Sequence, residues 1–295
     1  MKNICYVCES HIKKTIFKYI KPAFFLTSSN LKLTKRSQNE NIRDEIIFSK
    51  LKDKKYLRKV LYCNNCYHFQ EDFNHFVDYK KDYLDKSYGS TSGLEKEFNT
   101  IINIPKYKSD NKNRVKFIKN FFKNKIPRNL NKFKVLDVGM GLGVFLYEMK
   151  KLNWSCIGTD QDQRYIKHST KKLKIRSFCK EFKDLKFKND FDLITLNKVL
   201  EHLKDPKKIL KQINKFIDNK TYLYLELPDP ISSKKLGKNR EEFLMGHVNL
   251  FSHISILILL QNLNYKVTLI DRIREPSGKF TIRVIANLDD KYINN

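Results

Sequence analysis

Val135-Leu-Asp-Val-Gly-Met-Gly-Leu-Gly-Val144 is the stretch that decides the fold. A short apolar run leads into glycines at 139, 141 and 143, and a second apolar run follows from Val144. A strand that ends in glycines and opens a helix is the turn at which a parallel sheet brings its backbone close to a ligand. Asp137 lies in the strand, two residues before the first glycine. A second apolar strand, Trp154-Ser-Cys-Ile-Gly158, leads to Asp160. A carboxylate at the end of that second strand accepts hydrogen bonds from both hydroxyls of a ribose. The two segments together describe the nucleoside-binding half of a doubly wound sheet.

Outward from this turn, strand and helix patterns alternate from residue 133 onward, as in a parallel α/β sheet. The patterns predict strands at 134–138, 154–159, 175–179, 191–196 and 221–227. Two more, at 265–271 and 279–287, flank Pro276-Ser-Gly278. They are too close for a parallel crossover, so they form an antiparallel hairpin. Ahead of the first strand, Val115, Ile118, Phe121 and Phe122 share one side of a predicted helix that covers the sheet. Ser252 is a predicted N-cap for a helix over Ile254 to Leu263. The expected fold class is therefore α/β: a Rossmann-like doubly wound sheet of five parallel strands plus a C-terminal antiparallel hairpin, with a small N-terminal unit. The expected division is 1–80 for that unit, 81–130 for a connector and covering helix, and 131–295 for the ligand-binding domain.

The glycine spacing narrows the ligand. A dinucleotide turn reads G-x-G-x-x-G and aims a helix N-terminus at a pyrophosphate. Here the spacing is G-x-G-x-G, with Val144 where the third glycine would fall. Asp137 would repel a pyrophosphate and suits a ligand with an ammonium group. S-adenosylmethionine (SAM) has an ammonium group, a ribose and no phosphate. The segment resembles motif I of class I SAM-dependent methyltransferases. Phe191-Asp-Leu-Ile-Thr-Leu-Asn-Lys-Val-Leu-Glu-His-Leu-Lys-Asp-Pro206 resembles the same family's segment after the fourth strand. The resemblance covers roughly residues 115 to 287. It implies SAM as cofactor, held by Asp137, Gly139, Gly141, Gly143, Asp160, Gln161 and Asn197. It also implies adenine contacts from Glu181 and Phe182 in Glu181-Phe-Lys-Asp-Leu185.

Two histidines are the catalytic candidates. His202 follows the fourth strand, near where the methyl group is expected. His247 stands in Gly246-His-Val-Asn-Leu-Phe-Ser252, which resembles a segment of sugar-modifying family members. A neutral imidazole removes protons near neutral pH, so one of the pair is expected to act as general base.

Six cysteines are present, four of them as Cys5-x-x-Cys8 and Cys63-x-x-Cys66. Two such pairs point to a four-thiolate metal site, with structural zinc expected. Four cysteines also fit an iron–sulfur cluster. Glu9 and Tyr67 stand where zinc knuckles often carry glycine. Cys156 and Cys179 fall in predicted strands and are expected to be small core residues. The paired C-x-x-C unit ahead of a methyltransferase core resembles a bacterial group that includes deoxysugar C-methyltransferases. Where those enzymes have Tyr-x-Glu-His, this chain has Leu244-Met-Gly-His247, so a sugar hydroxyl is as good an acceptor as a sugar carbon.

Composition adds limits. The formal net charge of +27 comes from 59 basic and 32 acidic residues spread along the chain. It favours an anionic acceptor, a small molecule or a glycan such as one used in surface polysaccharide assembly. It also keeps open an RNA methyltransferase with a zinc module, although no Asn/Asp-Pro-Pro-aromatic tetrad follows the fourth strand. A third reading is a SAM-binding scaffold without turnover. No run of about 18 apolar residues predicts a membrane span, and no apolar signal core precedes Cys5, so a cytoplasmic protein is expected.

Overall fold

A computed structural model describes residues 4–12, 14–20, 57–73, 91–125, 130, 133–179, 191–218 and 220–289. The N-terminal part forms strands Lys14–Tyr19 (β1), Arg58–Tyr62 (β2) and Phe69–Phe73 (β3). The sequence between the two cysteine pairs predicts short strands at Ile46–Phe48 and Tyr56–Leu61; β2 overlaps the second, and the first is outside the described residues. β1 pairs with β2 and β2 with β3, both antiparallel. Cys63 to Cys66 therefore occupies the turn of the β2–β3 hairpin.

Two helices follow, Thr91–Ile102 (α1) and Asp110–Lys125 (α2). α2 buries Val115, Ile118, Phe121 and Phe122, as the spacing predicts, and also Arg114. The chain then alternates through Lys134–Val138 (β4), Val144–Lys150 (α3), Ser155–Thr159 (β5), Gln163–His168 (α4), Arg176–Phe178 (β6) and Leu193–Asn197 (β7). Pro206–Ile213 (α5), Tyr222–Pro228 (β8), Asn249–Leu250 (β9), His253–Gln261 (α6), Tyr265–Arg274 (β10) and Phe280–Leu288 (β11) complete it. Local chemistry fixes the helix starts. Asp205 accepts from Lys208 N with Pro206 in the first turn, and the Ser252 side chain accepts from Ser255 N.

The main sheet has seven strands in the order β10-β11-β8-β7-β4-β5-β6. β4 to β8 are parallel where they pair, and β11 runs antiparallel to both β8 and β10. The expected hairpin forms, and its second arm is the one that joins β8. β4, β7, β8 and β11 are covered on both faces and read as continuous apolar runs, while the edge strand β10 alternates between covered and exposed residues. Val135 and Leu193 pack with Ile118, Phe122, Phe145 and Leu146 on one face. Leu136, Ile194 and Leu196 pack with Leu210, Ile213, Ile256 and Leu259 on the other. Each such fully buried side chain contributes about 1.5–3 kcal/mol. Cys5, Val7, Leu61, Cys63 and Cys66 belong to that second cluster. β9, from the loop after β8, pairs with β3 and becomes the fourth strand of the N-terminal sheet.

Candidate active site and cysteine centre

The carboxyl ends of the parallel strands meet at the glycine turn. Gly139, Gly141 and Gly143 have φ of 76°, 52° and 73°, in the left-handed region that glycine enters without strain. Their surroundings differ. A Cβ at Gly139 would stand 2.7 Å from Val199 Cγ2, and one at Gly143 3.0 Å from Leu173 Cδ1. A Cβ at Gly141 would meet nothing within 4 Å. Gly139 thus seats the loop that follows β7, while Gly141 borders open space.

Asp160 is fixed against this turn. Its Oδ2 accepts from Gly141 N at 2.9 Å and its Oδ1 from Asp162 N at 3.0 Å. Burial raises the pKa of this carboxyl. Gln161 is exposed beside it, and its carbonyl accepts from Cys179 Sγ at 3.4 Å. Asp137 is 1% exposed. Its Oδ1 accepts from Thr195 Oγ1 at 2.6 Å and Asn197 Nδ2 at 2.9 Å. Burial pushes its pKa up to about 7. Asn197 Oδ1 is itself buried without a hydrogen-bond partner. Glu181 and Phe182 lie outside the described residues.

Beyond β7, Leu200–His202 forms a single 3-10 turn, with Val199 against Gly139. His202 Nδ1 is 3.1 Å from Gly246 O, and His247 Nδ1 is 2.8 Å from Glu242 O. A carbonyl only accepts, so each ring carries a proton on Nδ1, and in its neutral form the lone pair is on Nε2. The two rings stand edge to face with centroids 4.9 Å apart. Glu201, between Leu200 and His202, is 1% exposed, and its Oε2 has no hydrogen-bond partner. Burial pushes its carboxyl up to about 7.

Sequence reasoning did not single out Thr195, Glu201 or the ionic cluster under the site. That cluster centres on Glu226 of β8. Arg114 of α2 binds it through Nε at 2.6 Å and through a second guanidinium nitrogen, and Tyr224 donates to it at 2.8 Å. Burial alone would raise the Glu226 carboxyl, but Arg114, Lys198 and Arg283 hold it well below the usual range. Only the apolar positions of α2 stood out in the sequence; an arginine among them was the available clue.

The four cysteines gather at the turn of the β2–β3 hairpin. Their sulfurs lie within 4.8 Å of one another, with Cys5–Cys66 at 3.4 Å and Cys8–Cys63 at 3.5 Å. A tetrahedral shell with metal–sulfur bonds of about 2.3 Å has edges of roughly 3.8 Å, so the group has the dimensions of such a site. Each C-x-x-C closes by the same turn, through Glu9 N to Cys5 O at 3.0 Å and Tyr67 N to Cys63 O at 2.9 Å. Glu9 and Tyr67 have φ of 62° and 60°. Both therefore adopt the conformation that glycine would give more cheaply. The expectation for Cys179 is corrected: it lies just past β6 and is exposed, because that strand ends at Phe178. Cys156 is half-buried and packs against the core.

A family described as "Methyltransferase domain" matches residues 106–270 of the chain. Among solved structures, magnesium protoporphyrin IX methyltransferase from Synechocystis PCC 6803, with bound SAH, is similar in fold with a TM-score of 0.54. It is 13% identical over 71% of this chain and 100% of that one. Burkholderia thailandensis 1,6-didemethyltoxoflavin-N1-methyltransferase gives a TM-score of 0.51 at 12% identity, over 79% of this chain and 96% of that one. No curated protein matches the chain.

Proposed function

The chain belongs to the methyltransferase domain family and is a SAM-dependent methyltransferase, and on that premise we propose that it methylates a small or glycan acceptor, on a sugar hydroxyl or carbon. The observation that carries this reading is the pairing of two neighbouring features. One is the open side of Gly141 against the anchored Asp160; the other is the meeting of His202, on the loop that Gly139 seats, with His247, on the loop after β8. The first suits the cofactor, the second the acceptor.

Bound SAM supplies a sulfonium methyl group. In this reading the turn at Gly139, Gly141 and Gly143 admits the cofactor backbone, and Asp160 with Gln161 takes the ribose hydroxyls. Asp137 and the unpartnered Asn197 Oδ1 suit the ammonium group, since both are buried acceptors. Glu181 and Phe182 are assigned to the adenine. His202 and His247 manage the acceptor's proton, and the fold's main contribution is to position the reactants. Residues 1–80 act as a zinc-binding unit, 81–130 as connector and covering helix, and 131–295 as the catalytic domain. Four soft thiolates in a closed shell suit a structural zinc ion, with Cys5, Cys8, Cys63 and Cys66 as ligands. The Gly246–Ser252 segment supports a sugar acceptor, and with it a role in surface polysaccharide assembly in the cytoplasm. Among the described residues, no helix is long and apolar enough to cross a membrane.

The deciding experiment incubates the enzyme with labelled SAM and a panel of nucleotide sugars, glycans and total RNA. Label in a sugar is the expected outcome. Label only in RNA would transfer the assignment to a nucleic-acid acceptor, which the charge of +27 would then explain.

A further inference from the structure

Glu201 is hard to explain as a structural residue. A carboxylate 1% exposed with an unpartnered oxygen costs stability unless something binds it. Lys198 attracts it electrostatically, yet the lysine Nζ is committed to Thr281 Oγ1 at 2.8 Å. What does stand beside Glu201 is the histidine pair. One ligand atom from each of Glu201, His202 and His247 lies within 4.8 Å of the others.

The two imidazoles are arranged alike. Each donates Nδ1–H to a backbone carbonyl, His202 to Gly246 and His247 to Glu242. That is the support metal-ligating histidines have, fixing the tautomer and the ring direction. Two Nε2 lone pairs and a carboxylate oxygen are a borderline donor set, suited to divalent transition ions, unlike the four soft thiolates elsewhere in the chain. Ligands at about 2.1 Å from an ion stand roughly 3–3.5 Å from one another, so a small inward turn of the side chains completes the shell.

We propose that Glu201, His202 and His247 bind a divalent cation on the acceptor side of the cofactor turn. Three protein ligands leave at least one position open, which makes the acceptor an oxygen-bearing molecule whose hydroxyl or ketone oxygen occupies it. The proposal rests on the methyltransferase reading and says how the histidines manage the acceptor proton. They act through the ion, which acidifies the bound hydroxyl; neither ring takes the proton directly. For a hydroxyl acceptor the O–H proton leaves to water and the oxygen–methyl bond forms. The sulfur–methyl bond breaks with its electron pair kept on sulfur, giving a neutral thioether and an ether.

The test uses the full chain with its thiolate zinc in place, after a mild chelator has removed weaker ions. Mn²⁺ is titrated and followed by electron paramagnetic resonance, because thiolates compete poorly for this hard ion. The wild type is expected to bind about one Mn²⁺ per chain. Glu201→Gln and His202→Gln are expected to weaken it by at least about 10²-fold, beyond the 10–100-fold typical of a supporting partner. Ion-free Glu201→Gln should melt no lower than the wild type, since the substitution removes a buried unpartnered charge. Calorimetry with S-adenosylhomocysteine runs in parallel. Wild type that takes up the thioether but no Mn²⁺ or Co²⁺ at millimolar concentration overturns the cation site and leaves the methyltransferase reading standing. Equal Mn²⁺ binding by wild type and Glu201→Gln overturns it as well. Failure to bind the thioether would instead strike at the reading beneath it.

Discussion

In the proposed cofactor site, one buried side chain, Asp137, ties binding to pH. Its carboxyl titrates near 7 because burial disfavours the charge, despite donors from Thr195 and Asn197. A cationic ligand beside it stabilises the ionised form, so below pH 7 binding must release a proton. SAM affinity should therefore rise about tenfold per unit between pH 5.5 and 7 and level off above. Calorimetry in buffers of different ionisation enthalpy should show proton release at pH 6 and almost none at pH 8. Asp137→Asn should flatten the profile. For stability the sign is opposite to that of a salt-bridged carboxylate. The folded chain holds a proton that the unfolded chain gives up, so this group's contribution falls as pH rises from about 4 to 7. The unliganded Asn variant should accordingly be the more stable protein at pH 8. The glycines allow a second prediction. Gly141→Ala meets no atom within 4 Å, so its stability cost is only the left-handed backbone, about 1–2 kcal/mol, while cofactor affinity falls at least tenfold. Gly139→Ala drives a Cβ into Val199 and should displace the His202 loop, raising the acceptor KM as well. Thermal melts and steady-state kinetics separate the two. These glycines and both aspartates were legible in the sequence because strand, turn and ligand chemistry are all local there. Glu226 was not, because its partner Arg114 is 112 positions away and only the folded sheet brings them together.

At the level of elements, α2 and β8 are clamped by that pair. Removing Arg114 takes away the two-pronged partner of Glu226 but leaves Arg283 at 3.4 Å, so the cost should be that of the lost charged hydrogen bonds, about 1.5–3 kcal/mol, and not that of a fully uncompensated buried charge. Arg114→Met should lower the urea midpoint by that measure, and Glu226→Gln added to it should recover part of the loss. The seven strands of the main sheet were read within a few residues of their observed ends, because the central ones carry dense apolar runs buried on both faces and β10 shows the period-two alternation of a half-covered strand. The small sheet hid itself. Lys14–Tyr19 alternates little, and most of its residues are only partly covered. Phe69–Phe73 carries Gln70, Glu71 and Asp72 between its aromatic ends. β9, at two residues, is shorter than any periodicity can register. The two knuckles make a further prediction. Glu9 is exposed and, among the described residues, pairs with Lys207 at the surface, so Glu9→Gly should relieve its positive φ and raise thermal stability modestly, by about 0.5–1 kcal/mol. Tyr67→Gly should gain less, since its ring packs near Tyr62.

Across the whole molecule, the cysteine centre and the loops that carry His202 and His247 are mechanically one piece. Arg58, 1% exposed, binds Glu71 at 2.7 Å and the Phe243 carbonyl at 2.8 Å. Asn249 of β9 accepts from His68 Nε2 at 3.0 Å and donates to Leu203 O, next to His202. Cys5→Ser, or stripping with a strong chelator, should therefore raise the acceptor KM several-fold and leave S-adenosylhomocysteine affinity nearly unchanged. An equal loss of both would mean global unfolding, which circular dichroism would reveal. β9 also bears on how such enzymes diversify. Its two residues make the segment that follows His247 a strand of the N-terminal sheet, so recombination cannot trade that sheet as a contiguous prefix. A foreign N-terminal unit spliced in at residue 90 would meet a loop shaped for its predecessor. A chimera that also carries the donor's residues 240–252 restores the match. New acceptor preferences in such a lineage would be inherited as two separate stretches of gene that must travel together.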